Sequence, residues 1–374
     1  MLGWAREEVG YSIEQAAEAI GISIETLLAA ENGERPLTLN QLRKAAEQYD
    51  FPFGYFYLSE PPYEKSFKPV PDFRVEPGLI GVNHYRLGLE IKRVRDRRLI
   101  FMDVMASLGT QTESFLLLPE TSTENVGITV RERLGISEAE LSNLEYDDVY
   151  PYWKNKIERD GVLVYESQYI PDESGVLGVA IFYETYPIIL LKRGGEYNAR
   201  KLFTLLHEYA HLLMGRSAIN DAVAQTIDQP ISNEGQLEAH CNQLAADILV
   251  PPTKINPKDY EGLSAAEKME FLAYKFKVTY TTAAVCLKRF NLITRFELSE
   301  LIELRRKARK KAQEKKTAEI KIPRENIMRL DMGRPMFRAV LDAYGNGLLD
   351  VFDASKILNL RVKKINKLAS GSSS

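Results

Sequence analysis

The sequence predicts a mainly α protein with one small β-sheet, an α+β chain made of an N-terminal helix-turn-helix bundle, a central core and a C-terminal helical module. Three observations carry this. Apolar residues recur at helical spacing over most of the chain, as in Tyr85, Leu89, Val94, Ile100, Phe101 and Val104. Three short runs between 161 and 191 are instead dense in Val, Ile and Leu and bounded by Gly or Pro, as strands are. Near each end, two short helical stretches flank a tight turn. With 374 residues, 45% of them apolar and 27% charged, the chain has material for two or three globular domains.

Residues 1–58 form the first module. Ser12 is placed to cap a helix beginning at Ile13, and Ser23 to cap one beginning at Ile24, with Gly21 turning the chain between them. Asn32-Gly33 ends the second helix, and Thr38-Leu39 starts another that runs to about Tyr49. The order of these Ser, Ala-Ala, Gly-Ile-Ser, Leu, Glu and Gly-x-Arg positions resembles the Xre/Cro type of helix-turn-helix. In that type the helix after Ser23 would enter the major groove of a DNA operator. The contacting side chains would be Ser23, Glu25, Thr26 and Asn32, with Arg35 near the backbone. Charge speaks against tight binding: four basic residues stand against nine acidic ones, net −5. Phosphate neutralisation supplies most non-specific affinity. Weak binding, binding as a homodimer, or a protein-docking role all fit that balance.

The aromatic stretch from Phe51 to Leu58 is expected to plug the first module onto the next. Residues 59–82 read as a linker, extended at Pro61-Pro62 and Pro69-Val70-Pro71. The core domain is assigned to 83–295. It opens with a helix over about 82–107 whose second face is basic (Arg86, Lys92, Arg93, Arg95, Arg97, Arg98) and is expected to be solvated. More helices are expected over 124–160, then strands at 161–165, 175–182 and 187–191.

The most informative stretch is Leu206-His207-Glu208-Tyr209-Ala210-His211, with apolar flanks and Gly215 as a helix stop. His207 and His211 are i and i+4, so one helix face presents both rings to a shared metal. Glu208 between them is placed to act as a base. A second helical stretch, Glu238 to Pro251, offers Glu238 as third ligand, leaving a fourth position for water. Asn242, one turn on from Glu238, could hold a histidine ring or the Glu238 carboxylate by a hydrogen bond. Glu234 is the rival ligand, but it precedes Gly235 and is expected to lie outside the helix. His240 is expected to point away from the metal. Tyr183, Tyr186 and His240 are the candidates for a donor to a developing oxyanion.

Residues 203–212, then Glu238 and the pattern Cys241-Asn242-x-x-Ala245-Ala246-x-x-Leu249-x-Pro251, resemble the ImmA/IrrE family of zinc metallopeptidases. Pro71-Asp72-Phe73-Arg74 is similar to a segment before that family's peptidase core. The resemblance covers roughly 1–295. It implies a zincin-like metallopeptidase domain, Zn2+ held by His207, His211 and Glu238, and Glu208 as catalytic base. It further implies an N-terminal Xre-type domain and a protein or peptide substrate such as a transcriptional repressor. A strand near 175–185 would form the edge of the cleft, where a peptide can pair, and the polar loop 216–236 would border it. Relatives of this architecture beside small toxins keep a different reading open: a transcriptional regulator or antitoxin that binds a cognate toxin. A third is a helical scaffold with a structural metal. The intact Glu208 favours the peptidase, since a structural site needs no base.

Helices are expected over about 264–277 and 280–290, still within the resemblance. A basic connecting helix is assigned to 296–325; within it, 301–321 has nine basic residues against three acidic. The C-terminal module, 326–370, has three short helices of helix-turn-helix proportions, with Arg361, Lys363, Lys364 and Lys367 on the third, a candidate for the DNA or partner contact that the acidic first module makes poorly. Two cysteines inside helical patterns, Cys241 and Cys286, point to buried thiols in a reducing compartment. No signal peptide opens the sequence and no run approaches a spanning length, so a cytoplasmic protein without membrane contact is expected.

Overall fold

The computed structural model describes residues 1–9, 11–61, 84–111, 113–118, 125–170, 174–193, 201–221, 233–313 and 330–371. Nearly all of the linker 59–82, the Pro71–Arg74 segment, most of loop 216–236 and residues 314–325 of the basic connecting stretch lie outside the described residues. The architecture is mainly helical with a small mixed sheet.

The first module is four helices: α1 (Leu2–Glu8), α2 (Ile13–Ile20), α3 (Ile24–Glu31) and α4 (Leu39–Tyr49). Its helix starts are fixed locally. Ser12 Oγ accepts the Gln15 amide at 3.2 Å while the Gln15 side chain accepts the Ser12 amide at 3.0 Å; Thr38 and Gln41 repeat the arrangement. Leu2, Ala5, Ala16, Ala17, Ile20, Leu27 and Tyr49 make its core. Arg6 grips Glu31 with two nitrogens, at 2.8 and 3.0 Å, and so ties α1 to α3.

The aromatic plug lies where the sequence puts it. Phe51 stacks near Trp4, and the Lys92 ammonium sits 4.3 Å from the Phe51 ring centroid. Lys92 belongs to α5 (His84–Ser107). The two modules touch without a spacer: a Cβ on Gly88 would stand 2.2 Å from the Val9 carbonyl oxygen. The basic face of α5 is largely not solvated as expected, because α5 lies between the first module, the sheet and the C-terminal helices. Lys92 and Arg98 are buried. Arg97 donates to the Asp331 carbonyl, Arg98 to the carbonyls of Thr185 and Tyr186, and Arg93 to Glu90 and Asp50.

Three helices, α6 (Val126–Arg133), α7 (Glu138–Asn143) and α8 (Tyr146–Arg159), lead to the sheet. Its strands are β1 (Leu163–Ser167), β2 (Val176–Ile181), β3 (Ile188–Lys192) and β4 (Ala218–Asp221), in the order β1-β3-β2-β4. β1 runs parallel to β3; β2 is antiparallel to both β3 and β4. The expected cleft edge at 175–185 is therefore an interior strand. β4, in the stretch read as loop, covers its outer side: a four-residue strand with a bulge opposite Val176–Gly178 is too short for a clear period-2 signal.

Strands β1 to β3 are buried on both faces, so alternation sorts their side chains between two cores. Val164, Ala180, Ile189 and Leu191 face a core shared with α9 (Lys201–Leu213), α10 (Asn233–Leu249), α11 (Ala265–Phe276), α12 (Tyr280–Arg289) and the start of α13 (Arg295–Gln313). Leu163, Tyr165, Val179, Ile181, Ile188 and Leu190 face α5 and the last three helices. Those are α14 (Arg334–Gly345), α15 (Val351–Leu358) and α16 (Val362–Gly371).

Behind β1 lies a buried charge cluster. Glu166 accepts from Tyr150 at 2.8 Å and Lys154 at 3.0 Å, and pairs with Lys201 at the start of α9. Burial pushes the Glu166 carboxyl up, but Lys154 and Lys201 outweigh it and hold it down at about 2. Burial lowers the Lys201 ammonium in spite of the same contact. Two cations, Lys154 and Lys201, share this one anion. A carboxyl depressed in the fold stabilises above its unfolded value and loses that contribution as pH falls through the folded one. Wild type is thus expected to lose up to about 3 kcal/mol between pH 4.5 and about 2 from this group. Scanning calorimetry across that window should show a flatter stability profile for Glu166→Gln.

Candidate metal centre

Helix α9 exists because Lys201–Leu213 holds no Gly or Pro and carries an apolar face wide enough to be buried nearly all round. Gly215, at φ 65°, ends it. His207, Glu208 and His211 are all fully buried. The Nε2 atoms of His207 and His211 lie 3.1 Å apart. Helix α10 packs against α9 and brings Glu238 to them: Oε2 is 3.1 Å from His207 Nε2, and Oε1 is 3.2 Å from His211 Nε2. One ligand atom from each residue falls within 4.8 Å of the others. Among the described residues this is the one such group of three.

The electrostatics match that geometry. Burial lowers the His211 imidazole, favouring the neutral form that ligates a metal. Burial raises the Glu238 carboxyl, but hydrogen bonds from the two imidazoles prevail and hold it at about 2. Two facing imidazole nitrogens and a carboxylate are a nitrogen–oxygen donor set suited to Zn2+. Both Nε2 atoms and the Glu238 carboxylate converge within 3.1–3.2 Å of one another, as ligands of one shared cation would, so the residues fit a metal. Glu238 retains 26% side-chain exposure and is the open side of the group. Burial, then Glu238 and Glu208, push the Cys241 thiol well up, and Cys241 is not part of the His207, His211 and Glu238 group.

The remaining sequence candidates are placed as follows. The Asn242 Oδ1 is buried without a hydrogen-bond partner among the described residues. His240 is exposed. Helix α10 starts at Asn233, so Glu234 lies within it, contrary to expectation; Gly235 is tolerated in a first turn. Tyr183 and Tyr186 pack into the α5 side of the sheet, Tyr183 under Arg98 and Tyr186 edge-on to Phe101, away from α9. In the first module the Ser23 and Thr26 hydroxyls bond each other at 2.9 Å as part of the α3 cap. Glu25, Asn32 and Arg35 are exposed.

One residue of the site was overlooked. Gly178 sits mid-β2 on the face turned to α9, and a Cβ there would stand 2.6 Å from Glu208 Oε1 and 2.8 Å from its Cγ. The bare backbone is what gives the carboxylate its room. A glycine inside an otherwise apolar strand was the available signal.

Fold and site together give a helix-turn-helix domain joined to an α+β domain in which His207, His211 and Glu238 converge. Comparison with known families agrees: residues 2–56 match a helix-turn-helix family, and residues 163–288 match the IrrE N-terminal-like domain, a peptidase family. The chain thus carries the two-domain architecture of the ImmA/IrrE group that its motifs resemble. The second match runs from β1 into α12 and includes His207, Glu208, His211 and Glu238. No curated protein and no solved structure matches the chain. Among the described residues no helix is long and apolar enough to cross a membrane.

Proposed function

We infer that this protein is a zinc-dependent endopeptidase whose helical modules direct it to a regulatory protein. The observation that carries the reading is the convergence of His207, His211 and Glu238 on one point, with the buried Glu208 beside them on α9. Zn2+ held by those three residues would supply Lewis-acid polarisation of a scissile carbonyl and a lowered pKa for water. The chain's own contribution is to keep both imidazoles on one helix face, to bring a counter-charge from α10, and to exclude solvent around Glu208. Glu208 is the proton acceptor and passes the proton to the leaving amine. Asn242 is proposed to steady the Glu238 side once the centre is loaded. A peptide would add to the outer side of β4 rather than to β2, since β2 is already paired on both sides.

The test is cleavage of candidate regulators by the zinc-loaded chain, compared with Glu208→Gln. Wild type should give discrete fragments, and the variant should be slower by about 10²–10⁴-fold while keeping its zinc. Equal rates would remove Glu208 from the mechanism. Binding of a cognate toxin by both proteins, with cutting by neither, would instead mark the regulator or antitoxin reading. The homodimer expected of an Xre-type module is checked by sedimentation of the same sample.

A further inference from the structure

The two ends of the chain are built on one pattern, and the family match covers only the first. Helices α2 and α15 are both eight residues long. Ser12 caps α2 by accepting the Gln15 amide; Asp350 caps α15 by accepting the Asp353 amide. Each helix closes on a left-handed residue, Gly21 at φ 78° and Asn359 at φ 50°. Each is followed by a residue whose amide returns to the helix, Ile22 to the Ala17 carbonyl and Leu360 to the Ser355 carbonyl. The buried positions then pair without a gap: Ala5 with Ala343, Ala16 with Ala354, Ile20 with Leu358 and Leu27 with Ile365. Asn stands at the turn where the first module has Gly, and Asn is one of the few other residues that visit the left-handed region.

The copies differ in charge. Residues 13–33 hold four acidic and no basic residues; 351–371 hold five basic and one acidic. Where the first module has Ser23, Glu25 and Thr26, the last has Arg361, Lys363 and Lys364. Arg361, Lys363 and Lys367 are exposed, while Ile365, on the side of α16 opposite Lys363 and Lys367, is fully buried in the core under the sheet.

We propose that α15 and α16 form a second helix-turn-helix, and that α16 is the element that binds duplex DNA. The acidic first module repels phosphate, and the basic last one neutralises it. The second element is also anchored: α14 packs on α5 and α8, so a duplex held by α16 lies at a fixed position relative to the peptidase core.

The experiment uses the full chain and a labelled duplex of mixed sequence, with affinity read by anisotropy over a salt series. Wild type should bind with a steep salt dependence. Arg361→Gln/Lys363→Gln should lower the salt slope by about two with an unchanged melting temperature. Arg361→Glu/Lys363→Glu should weaken binding by about ten-fold or more. Absence of duplex binding by wild type at low salt overturns the proposal. So does undiminished binding by the charge-reversed protein, or loss of binding in Arg35→Glu with none in the α16 variants. Zinc content and peptidase activity do not enter the readout, so the proposal stands or falls apart from the function proposed above.

Discussion

Glu238→Ala is expected to release zinc from the chain. The wild-type carboxylate spans both imidazoles, with one oxygen 3.1 Å from His207 Nε2 and the other 3.2 Å from His211 Nε2. Alanine leaves two neutral nitrogens, one ligand short of a catalytic zinc site and without the anion that offsets the cation's charge. Outer partners of a metal centre cost about 10–100-fold in affinity when lost, so loss of a direct ligand should exceed about a hundred-fold. Zinc stoichiometry after dialysis against a weak chelator reads this directly. Glu234→Ala, one turn earlier on α10, should retain full occupancy. The reverse pattern would transfer the third ligand to Glu234.

Gly178→Ala is expected to damage activity without touching a ligand. The added methyl would meet Glu208 Oε1 at 2.6 Å, Cγ at 2.8 Å and Cδ at 2.9 Å. Such approaches are below contact distance, so either β2 or the Glu208 side chain must shift. Overpacking of this kind costs about 1–3 kcal/mol of stability. A displacement of about 1 Å at the catalytic base costs about 10²-fold in rate. Because the three atoms nearest the new methyl all belong to Glu208 and none to His207, His211 or Glu238, zinc content should stay near wild type. Calorimetry, zinc analysis and cleavage rate together make the check. A variant as active as wild type would show that Glu208 need not stand where it does.

Much of the centre was legible because its chemistry is local. His207, Glu208 and His211 lie within five consecutive residues of one helix, and the 3.6-residue repeat alone puts the two rings together. Caps at Ser12, Ser23 and Thr38 are equally local, since each side chain bonds an amide three residues on. The strand faces were harder to read: β1 to β3 are buried on both sides, so hydrophobicity does not alternate along them. The basic side of α5 misled for a related reason. A row of Arg and Lys reads as solvated until the partners for it, Asp50, Asp331 and the Thr185 and Tyr186 carbonyls, arrive from elsewhere in the chain.

The sequence by itself determined the helical modules, the two histidines with their intervening carboxylate, and the charge contrast between the two ends. These follow from spacing, capping and composition within short windows. Only the tertiary structure decided that α10 delivers Glu238 to within 3.2 Å of both rings, that Gly178 makes room for Glu208, that β4 covers β2, and that the last three helices lie on the sheet. Each of those depends on contacts between residues far apart in sequence, where packing of buried surfaces outweighs any local preference.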